Sequence, residues 1–294
     1  MIGIIGAMNV EVEKLKNIIE NKKTEIYSGI EFVSGQIYGK DVVVAKCGIG
    51  KVFAAICAQT MILKFSPSVV INTGVAGAID SRLKIGSVAI GYDTVQYDMD
   101  TTDFGDPLGM ISGLNIVHME CKGEAKDKVL QYADKLNLNV LSGTIASADR
   151  FLSDRNYKNT LKNNFSAIAC DMESGSINHV CFVNDTDCVI VRAISDTADD
   201  ESIDNYTEFL QSSAEKAVSV VLEYIKNSII LVGIWPQNVL LRDYLRNIFE
   251  YAYYKGWCTE KEVILVRPPY RSKKHRVNKK FALQFKDRFS SLFW

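Results

Sequence analysis

The sequence predicts an α/β fold built on a mostly parallel sheet, and three observations lead to that prediction. Short apolar runs rich in Val and Ile alternate with segments of helical spacing over residues 1–227. The breaks between them are short, as connections in α/β proteins usually are. Of the 294 residues, 47% are hydrophobic and 23% are charged, which is ordinary for a folded globular chain.

The predicted elements follow one another along residues 1–227. Strands are expected where apolar runs are short and bounded by turn residues, at 2–7, twice within 31–48, and at 68–77, 87–93, 138–152, 166–174 and 188–196. Helices are expected where apolar residues recur every three to four positions, at 10–20, 51–65, 124–136, 174–183 and 206–227. The helix at 51–65 is apolar on almost every side, so we expect it to be buried.

The composition changes near Asn227. Residues 228–294 hold 13 Lys and Arg against 5 Asp and Glu, together with all three Trp, although the whole chain has a formal net charge of −1. We therefore predict one domain at 1–227 and a basic, aromatic C-terminal extension at 228–294. Its most basic part, 267–289, suits nucleic acid or an anionic surface. Because no RNA-binding motif is present, an accessory helix, a packing arm or a segment with no selected role is favoured instead.

Several functional classes are not supported by the sequence. No apolar run reaches about 18 residues, and the N-terminus lacks the basic region of a signal peptide, so we expect a cytoplasmic protein. The seven Cys have no paired spacing and the three His lie far apart, which argues against disulfides and zinc. Neither a P-loop nor the G-x-S-x-G elbow of serine hydrolases occurs.

Small and acidic residues cluster where the predicted strands end. Five segments share this position: "GAMNVEVE", "NTGVAG", "ASADRFL", "DMES" and "RAISD". Ligands of open α/β sheets bind at the carboxyl ends of the strands, so we expect the five segments to form one site. Carboxylates are the abundant catalytic groups there, which favours acid/base chemistry on a sugar bond.

Each of these residues also has a purely structural interpretation. Asp196 would cap the following segment, and Glu11 would favour the N-terminus of its helix. Gly74 and Gly77 suit either a turn or the close approach of a ligand to the backbone. Arg192 lies within a strand and needs a carboxylate partner if it is buried. From the residues alone, both interpretations stay open.

The chain resembles the 5′-methylthioadenosine/S-adenosylhomocysteine nucleosidases, a family within the purine nucleoside phosphorylase superfamily. The resemblance covers about residues 1–227 and is carried by "IGIIGAMNVEVE", "KCGIGKVFAA", "VINTGVAGAI", "IASADRFL", "CDMESGSINHVC" and "VRAISDTADDES". It implies a central mixed, partly barrel-like sheet flanked by helices. It also implies hydrolysis of the N-glycosidic bond of methylthioadenosine or adenosylhomocysteine, with no cofactor or metal, by an enzyme that is typically a homodimer.

The resemblance assigns catalytic roles to residues of the five segments. Asp196, supported by Ser195, would protonate N7 of adenine as the bond breaks. Glu11, with Arg192 nearby, would bind and activate water, and Glu173 would hold the ribose diol. The other substrate-binding residues implied are Ala7, Met8, Ile49, Val75, Ala76, Gly77, Phe151, Leu152, Met172 and Tyr206, with the partner subunit's Phe104 and Pro107 closing the alkylthio pocket.

Four positions depart from the usual pattern of the resembled family. Val75 replaces Ser, Asp171 replaces Glu, Tyr206 replaces Phe and Ala148 replaces Gly. None removes a proposed catalytic group. They leave open the preference among methylthioadenosine, adenosylhomocysteine, 5′-deoxyadenosine and aminodeoxyfutalosine.

Two other functions remain as alternatives. A purine nucleoside phosphorylase of the same superfamily would need an early Gly-x-Arg phosphate loop, whereas "GAMNVEVE" places an acid there. A nucleic-acid-binding protein would act through the basic extension, with an inert α/β core.

Overall fold

The computed structural model describes residues 1–197, 202–228, 231–234 and 263–266. The chain divides into two compact units, Met1–Ser228 and Ile229–Trp294. The expected solvated loop at Asp199, Asp200 and Glu201 lies outside the described residues, as does the basic segment 267–289.

The first unit contains a ten-stranded sheet with helices on both faces. Its strands are β1 Ile2–Gly6, β2 Glu20–Tyr27, β3 Ile30–Ile37, β4 Lys40–Lys46, β5 Val69–Ala78, β6 Val88–Gln96, β7 Met119–Glu120, β8 Val140–Ser147, β9 Ala167–Asp171 and β10 Asp187–Asp196. Its helices are α1 Asn9–Ile18, α2 Lys51–Phe65, α3 Ala125–Lys135, α4 Arg155–Phe165, α5 Ser174–Val183 and α6 Ser202–Asn227, with a short 3-10 turn at Thr102–Phe104.

Five strands of this sheet close into a barrel. β5 pairs in parallel with β10, β10 pairs antiparallel with β6, and β6, β8 and β9 follow in parallel. The ring is closed where β9 runs antiparallel to the end of β5, with Gly77 opposite Cys170. From β5 the sheet extends outward through β1, β4, β3 and β2. The mixed, partly barrel-like sheet that the resemblance implies is confirmed. The mostly parallel sheet expected from the alternation of strands and helices is wrong: among the described strands of this sheet, five pairs are parallel and five are antiparallel.

The central strands are buried on both faces, which explains their continuous apolar runs. Successive side chains of a strand point to opposite faces. Ile4 accordingly packs in one apolar cluster with α1, α3 and α6, whereas Ile5 packs in a second cluster with α2 and α5. This packing holds the strand ends, and the side chains just beyond them, in place.

In the second unit, the described residues form two strands. β11 Leu231–Ile234 and β12 Val263–Val266 pair in parallel. None of the described helices is long and apolar enough to cross a membrane.

Four elements of the first unit differ from the prediction. β2, β7 and α4 were not expected. β2 is polar and largely exposed, and its pairing with β3 decides its conformation. The expectation that α2 is buried is wrong: Val52 and Leu63 are 69% and 70% exposed, and Phe53 is also exposed. The small residues of α2 face the core instead, together with Met61.

Candidate active site

A cavity of about 230 Å³ lies where the five predicted segments meet. The ends of β1, β5, β9 and β10 supply most of its wall, and the segment after β8 and the helix α6 supply the rest. Its lining residues are Ala7, Met8, Glu11, Ile49, Val75, Ala76, Gly77, Phe151, Cys170, Asp171, Met172, Glu173, Ser195, Asp196 and Tyr206. Cys170 and Asp171 are the members that the sequence analysis did not place in the site.

Four predicted site residues are not in the lining. Arg192 lies directly behind the acidic wall and is fully buried. Leu152 is buried in an apolar cluster beside the cavity. Phe104 is 89% exposed and Pro107 is also exposed, so neither closes the pocket of its own chain. That these two close a partner's pocket stays a prediction, as do the catalytic roles.

Glu11 is buried at the start of α1 and is held by three backbone amides. Its Oε2 accepts hydrogen bonds from the amides of Ala7 at 2.6 Å and Met8 at 2.9 Å, and its Oε1 accepts one from Val75 at 3.0 Å. Burial raises the pKa of Glu11, while Arg192 and the three amides lower it. The carboxylate is thus fixed between β1 and β5, in position to orient a water molecule.

Arg192 is the counter-charge of the acidic wall. Its Nη2 lies 2.6 Å from Oδ2 of Asp171 and 3.3 Å from Oε2 of Glu173, and Nη1 lies 3.9 Å from Oε1 of Glu11. Asn72 Oδ1 accepts a further hydrogen bond from Nη2 at 2.6 Å. One guanidinium is therefore shared by three buried carboxylates, which explains an arginine within a buried strand.

Glu173 begins helix α5 and faces the start of helix α2. Its Oε1 accepts a hydrogen bond from the backbone amide of Gly50 at 3.0 Å. Burial raises the pKa of Glu173 to about 7; Arg192 lowers it and the neighbouring Asp171 raises it further. When Glu173 is ionised, it can accept strong, charge-assisted hydrogen bonds. The two hydroxyl groups of a sugar diol could donate such bonds.

Asp196 ends β10, lines the cavity and is 2% exposed. Oγ of Ser195 donates a hydrogen bond to its Oδ1 at 3.1 Å. Nζ of Lys158, on α4, lies 3.1 Å from its Oδ2. The carboxyl group is held on both oxygens, as expected of a positioned acid rather than of an exposed cap.

Gly74 and Gly77 bring the backbone of β5 close to these groups. A Cβ atom at position 74 would meet Glu11 and Nη1 of Arg192, and one at position 77 would lie 2.8 Å from Oδ2 of Asp196. Neither glycine has a positive φ, so what both positions require is space rather than a special conformation.

The remaining wall is apolar and partly open. Phe151 and Tyr206 meet edge to face, with ring centroids 5.5 Å apart, and Tyr206 Oη donates to Sδ of Met8 at 3.4 Å. Ile49 lies at the mouth and is 56% exposed. An aromatic and thioether surface of this kind suits a flat base and an apolar substituent.

Cys170, Asp171 and Lys158 were given no role at the level of sequence. Asp171 was named as a departure from the family pattern and lies in the "DMES" segment, yet it makes the shortest ion pair of Arg192. Lys158 lies on the apolar face of α4, with Leu161 and Phe165, and a lysine at such a position is a signal that could have been read. Among the described residues, no group of three or more His, Cys, Asp or Glu side chains could hold a metal ion.

Comparison with known proteins gives the family. The model of the phosphorylase superfamily matches residues 1–226. A 5′-methylthioadenosine/S-adenosylhomocysteine nucleosidase from Neisseria meningitidis, solved with methylthio-immucillin-A, is 33% identical with a TM-score of 0.74; the match covers 76% of this chain and 98% of that one.

Two structures from Helicobacter pylori are similarly close. The futalosine hydrolase is 31% identical with a TM-score of 0.73, and the match covers 76% of this chain and 96% of that one. An aspartate-to-asparagine variant of the nucleosidase, with 5′-methylthioadenosine in its active site, is 30% identical with a TM-score of 0.73 and coverages of 76% and 97%. The chain belongs to the phosphorylase superfamily, and these similar structures within it are nucleoside hydrolases.

Proposed function

We propose that this protein hydrolyses the N-glycosidic bond of 5′-methylthioadenosine and S-adenosylhomocysteine, releasing adenine and the 5-thioribose sugar. One observation carries the proposal: the carboxyl groups of Asp196, Glu11 and Glu173 line a single cavity, and Arg192 lies behind Glu11 and Glu173. These are the groups needed at the two ends of a scissile glycosidic bond.

Bond cleavage requires that adenine leaves as a neutral base. Asp196 donates a proton to N7 as the C1′–N9 bond breaks, so the leaving group does not carry away a full negative charge. Positioned acids of this kind contribute ~10²–10⁴-fold to rate. The two contacts on the Asp196 carboxyl group keep it in place for this transfer.

The sugar becomes an oxocarbenium-like cation, and the acidic wall stabilises it. Glu173 accepts hydrogen bonds from the ribose hydroxyls, and Glu11 orients the water that attacks C1′. Because both carboxylates are buried, their interaction with developing positive charge is stronger than it would be in water. Glu11 takes the proton that the water loses.

Hydrolysis is favoured over phosphorolysis by the charge of the cavity. Among the described residues, its lining includes four carboxylate side chains and neither Lys nor Arg. The guanidinium of Arg192 is already engaged by Asp171 and Glu173. A phosphate dianion placed beside the ribose would face uncompensated carboxylates, and like charges repel strongly in a buried site.

The apolar wall accommodates the 5′ substituent and the base. Phe151 offers a ring to adenine, and Met8, Ile49 and Tyr206 surround the space for an alkylthio group. Aminodeoxyfutalosine is a second candidate substrate, because a similar structure is a futalosine hydrolase. The Tyr206 hydroxyl adds a polar group beside the space for the 5′ substituent. Both methylthioadenosine and aminodeoxyfutalosine should therefore be tested as substrates.

We further propose that the enzyme is a cytoplasmic homodimer. The outer face of α2 exposes Val52, Phe53, Ile56 and Leu63, and Phe104 at the end of the 3-10 turn is also exposed. A contiguous apolar face on a soluble enzyme usually marks an interface. Sedimentation should give a dimer for the wild type and a monomer for Phe53→Asp. The six described cysteines are all free, as expected in a reducing compartment.

The test of the activity is adenine release from methylthioadenosine in phosphate-free buffer. The wild-type protein should release adenine, and Asp196→Asn should lose ~10²–10⁴-fold in kcat. Asp187→Asn is a matched control, because Asp187 lies at the other end of β10 and is absent from the cavity lining. Release that requires added phosphate would contradict the hydrolase, and an Asp196→Asn variant active within a few-fold would contradict the acid.

A further inference from the structure

Lys158 is a buried lysine whose positive charge has no role in the mechanism described so far. It lies one turn into α4, where the Asp154 side chain caps the helix by accepting from the amides of Asn156 and Tyr157. Its side chain is 1% exposed. A lysine is almost never fully buried unless its charge is paired.

The ammonium group of Lys158 is directed at the proposed acid. Nζ lies 3.1 Å from Oδ2 of Asp196 and 3.0 Å from the carbonyl oxygen of Thr197. It therefore contacts both the carboxyl group and the backbone immediately after β10. Ser195 binds the other carboxyl oxygen, so the two contacts fix the orientation of the acid.

Other titratable groups face Asp196 from neighbouring elements. Cys170 on β9 and Tyr206 on α6 both interact with it electrostatically. Burial raises the pKa of Cys170 to about 12 and also raises the pKa of Tyr206. Both groups are therefore neutral near neutral pH. Among the described residues, Lys158 provides the positive charge in contact with Asp196.

We propose that Lys158 is a positioning residue that makes Asp196 a stronger acid toward adenine. When Asp196 gives its proton to N7, a carboxylate forms, and the adjacent ammonium group stabilises that carboxylate. The same charge makes Asp196 lose its proton at a lower pH in the free enzyme. This inference rests on the proposed function, since it concerns the acid of that reaction.

The pH dependence of activity distinguishes this role of Lys158 from a merely structural one. Without the positive charge of Lys158, Asp196 keeps its proton to higher pH but donates it less readily to N7 of adenine. Lys158→Met should therefore move the alkaline limb of the kcat/KM profile upward by ~1 pH unit or more, because an opposite charge at this range shifts a carboxyl by ~1–3 units. It should also lower kcat at the wild-type optimum by about 10-fold, with little change in KM.

The experiment measures adenine release from methylthioadenosine between pH 5 and pH 10 for the full-length chain and its variants. Lys158→Arg keeps the charge and should keep the wild-type limb. Lys162→Met is the matched control, because Lys162 lies one turn further along α4, is 44% exposed and pairs with Asp80 at 3.6 Å. Its profile should match the wild type.

Lys158→Gln serves if Lys158→Met does not fold, as judged by circular dichroism and Tm. It retains a hydrogen-bonding head without the charge, so it should show the same upward limb. An unchanged limb in a folded neutral variant would overturn the role of Lys158 while leaving the proposed function intact. A wild-type protein that releases no adenine would overturn the proposed function and this role with it.

Discussion

Replacing Glu173 by Gln tests the electrostatics of the acidic wall through stability. The pKa of Glu173 is raised from its ordinary value of 4.5 to about 7 by burial. The folded state therefore holds the proton more tightly than the unfolded state. The stability contributed by that proton is fully present below pH 4.5 and is lost as the pH rises through 7.

The magnitude follows from the two pKa values. Each pKa unit corresponds to about 1.4 kcal/mol, so the difference between 4.5 and about 7 amounts to roughly 3 kcal/mol. Wild-type protein pays this cost at pH 8 to keep an ionised Glu173, and a neutral Gln does not. Glu173→Gln should thus gain stability relative to wild type by up to roughly 3 kcal/mol between pH 5 and pH 8.

The assay is urea unfolding of both proteins at several pH values. Glu120→Gln is the matched control, because Lys126 lowers the pKa of the exposed Glu120 and its replacement should bring no gain with pH. A difference between Glu173→Gln and wild type that is the same at pH 5 and pH 8 would refute the reasoning. The stabilised variant should also lose ~10–100-fold in kcat/KM, because a charged hydrogen bond to the ribose is removed.

Two further substitutions test the same site. Gly74→Ala should lower kcat in the adenine-release assay by about 100-fold, since the new Cβ would lie 2.7 Å from Cδ of Glu11 and displace the carboxylate that orients water. Arg192→Met should cost about 3–5 kcal/mol at pH 8, because three buried carboxylates lose their counter-charge. Urea unfolding at pH 5 should show a smaller loss, since burial raises the pKa of Glu173 to about 7 and this acid then binds a proton, and an equal loss at both pH values would contradict the assignment.

The position of the site was predictable because strand ends carry a strong local signal. The apolar runs before Glu11, Met172 and Ser195 end abruptly in polar residues, and parallel strands bring such ends to one edge. Arg192 within an apolar run required a buried acidic partner, and the structure supplies three. These inferences needed only neighbours in sequence and the geometry of a sheet.

Features that depend on distant pairing were not predictable from the residues alone. The barrel closes because Gly77 lies opposite Cys170, a contact between segments far apart in sequence. β2 is polar and gains its strand conformation from β3. The exposure of α2 was missed because its apolar residues are equally compatible with a core and with an interface.

The pairing of Lys158 with Asp196 shows the same limit at the level of a single site. The lysine occupies an apolar position of α4, which marks it as unusual, but the sequence does not say which acid it meets. α4 and the end of β10 are adjacent only in the folded protein.

The central claim, that water rather than phosphate attacks the sugar, is tested most directly by the mass of the sugar product. The protein is incubated with methylthioadenosine in ¹⁸O-labelled water containing millimolar phosphate, and the products are identified by mass spectrometry. The account predicts free adenine and 5-methylthioribose in which the anomeric oxygen, measured before exchange with solvent, carries the label. A methylthioribose 1-phosphate product would contradict it.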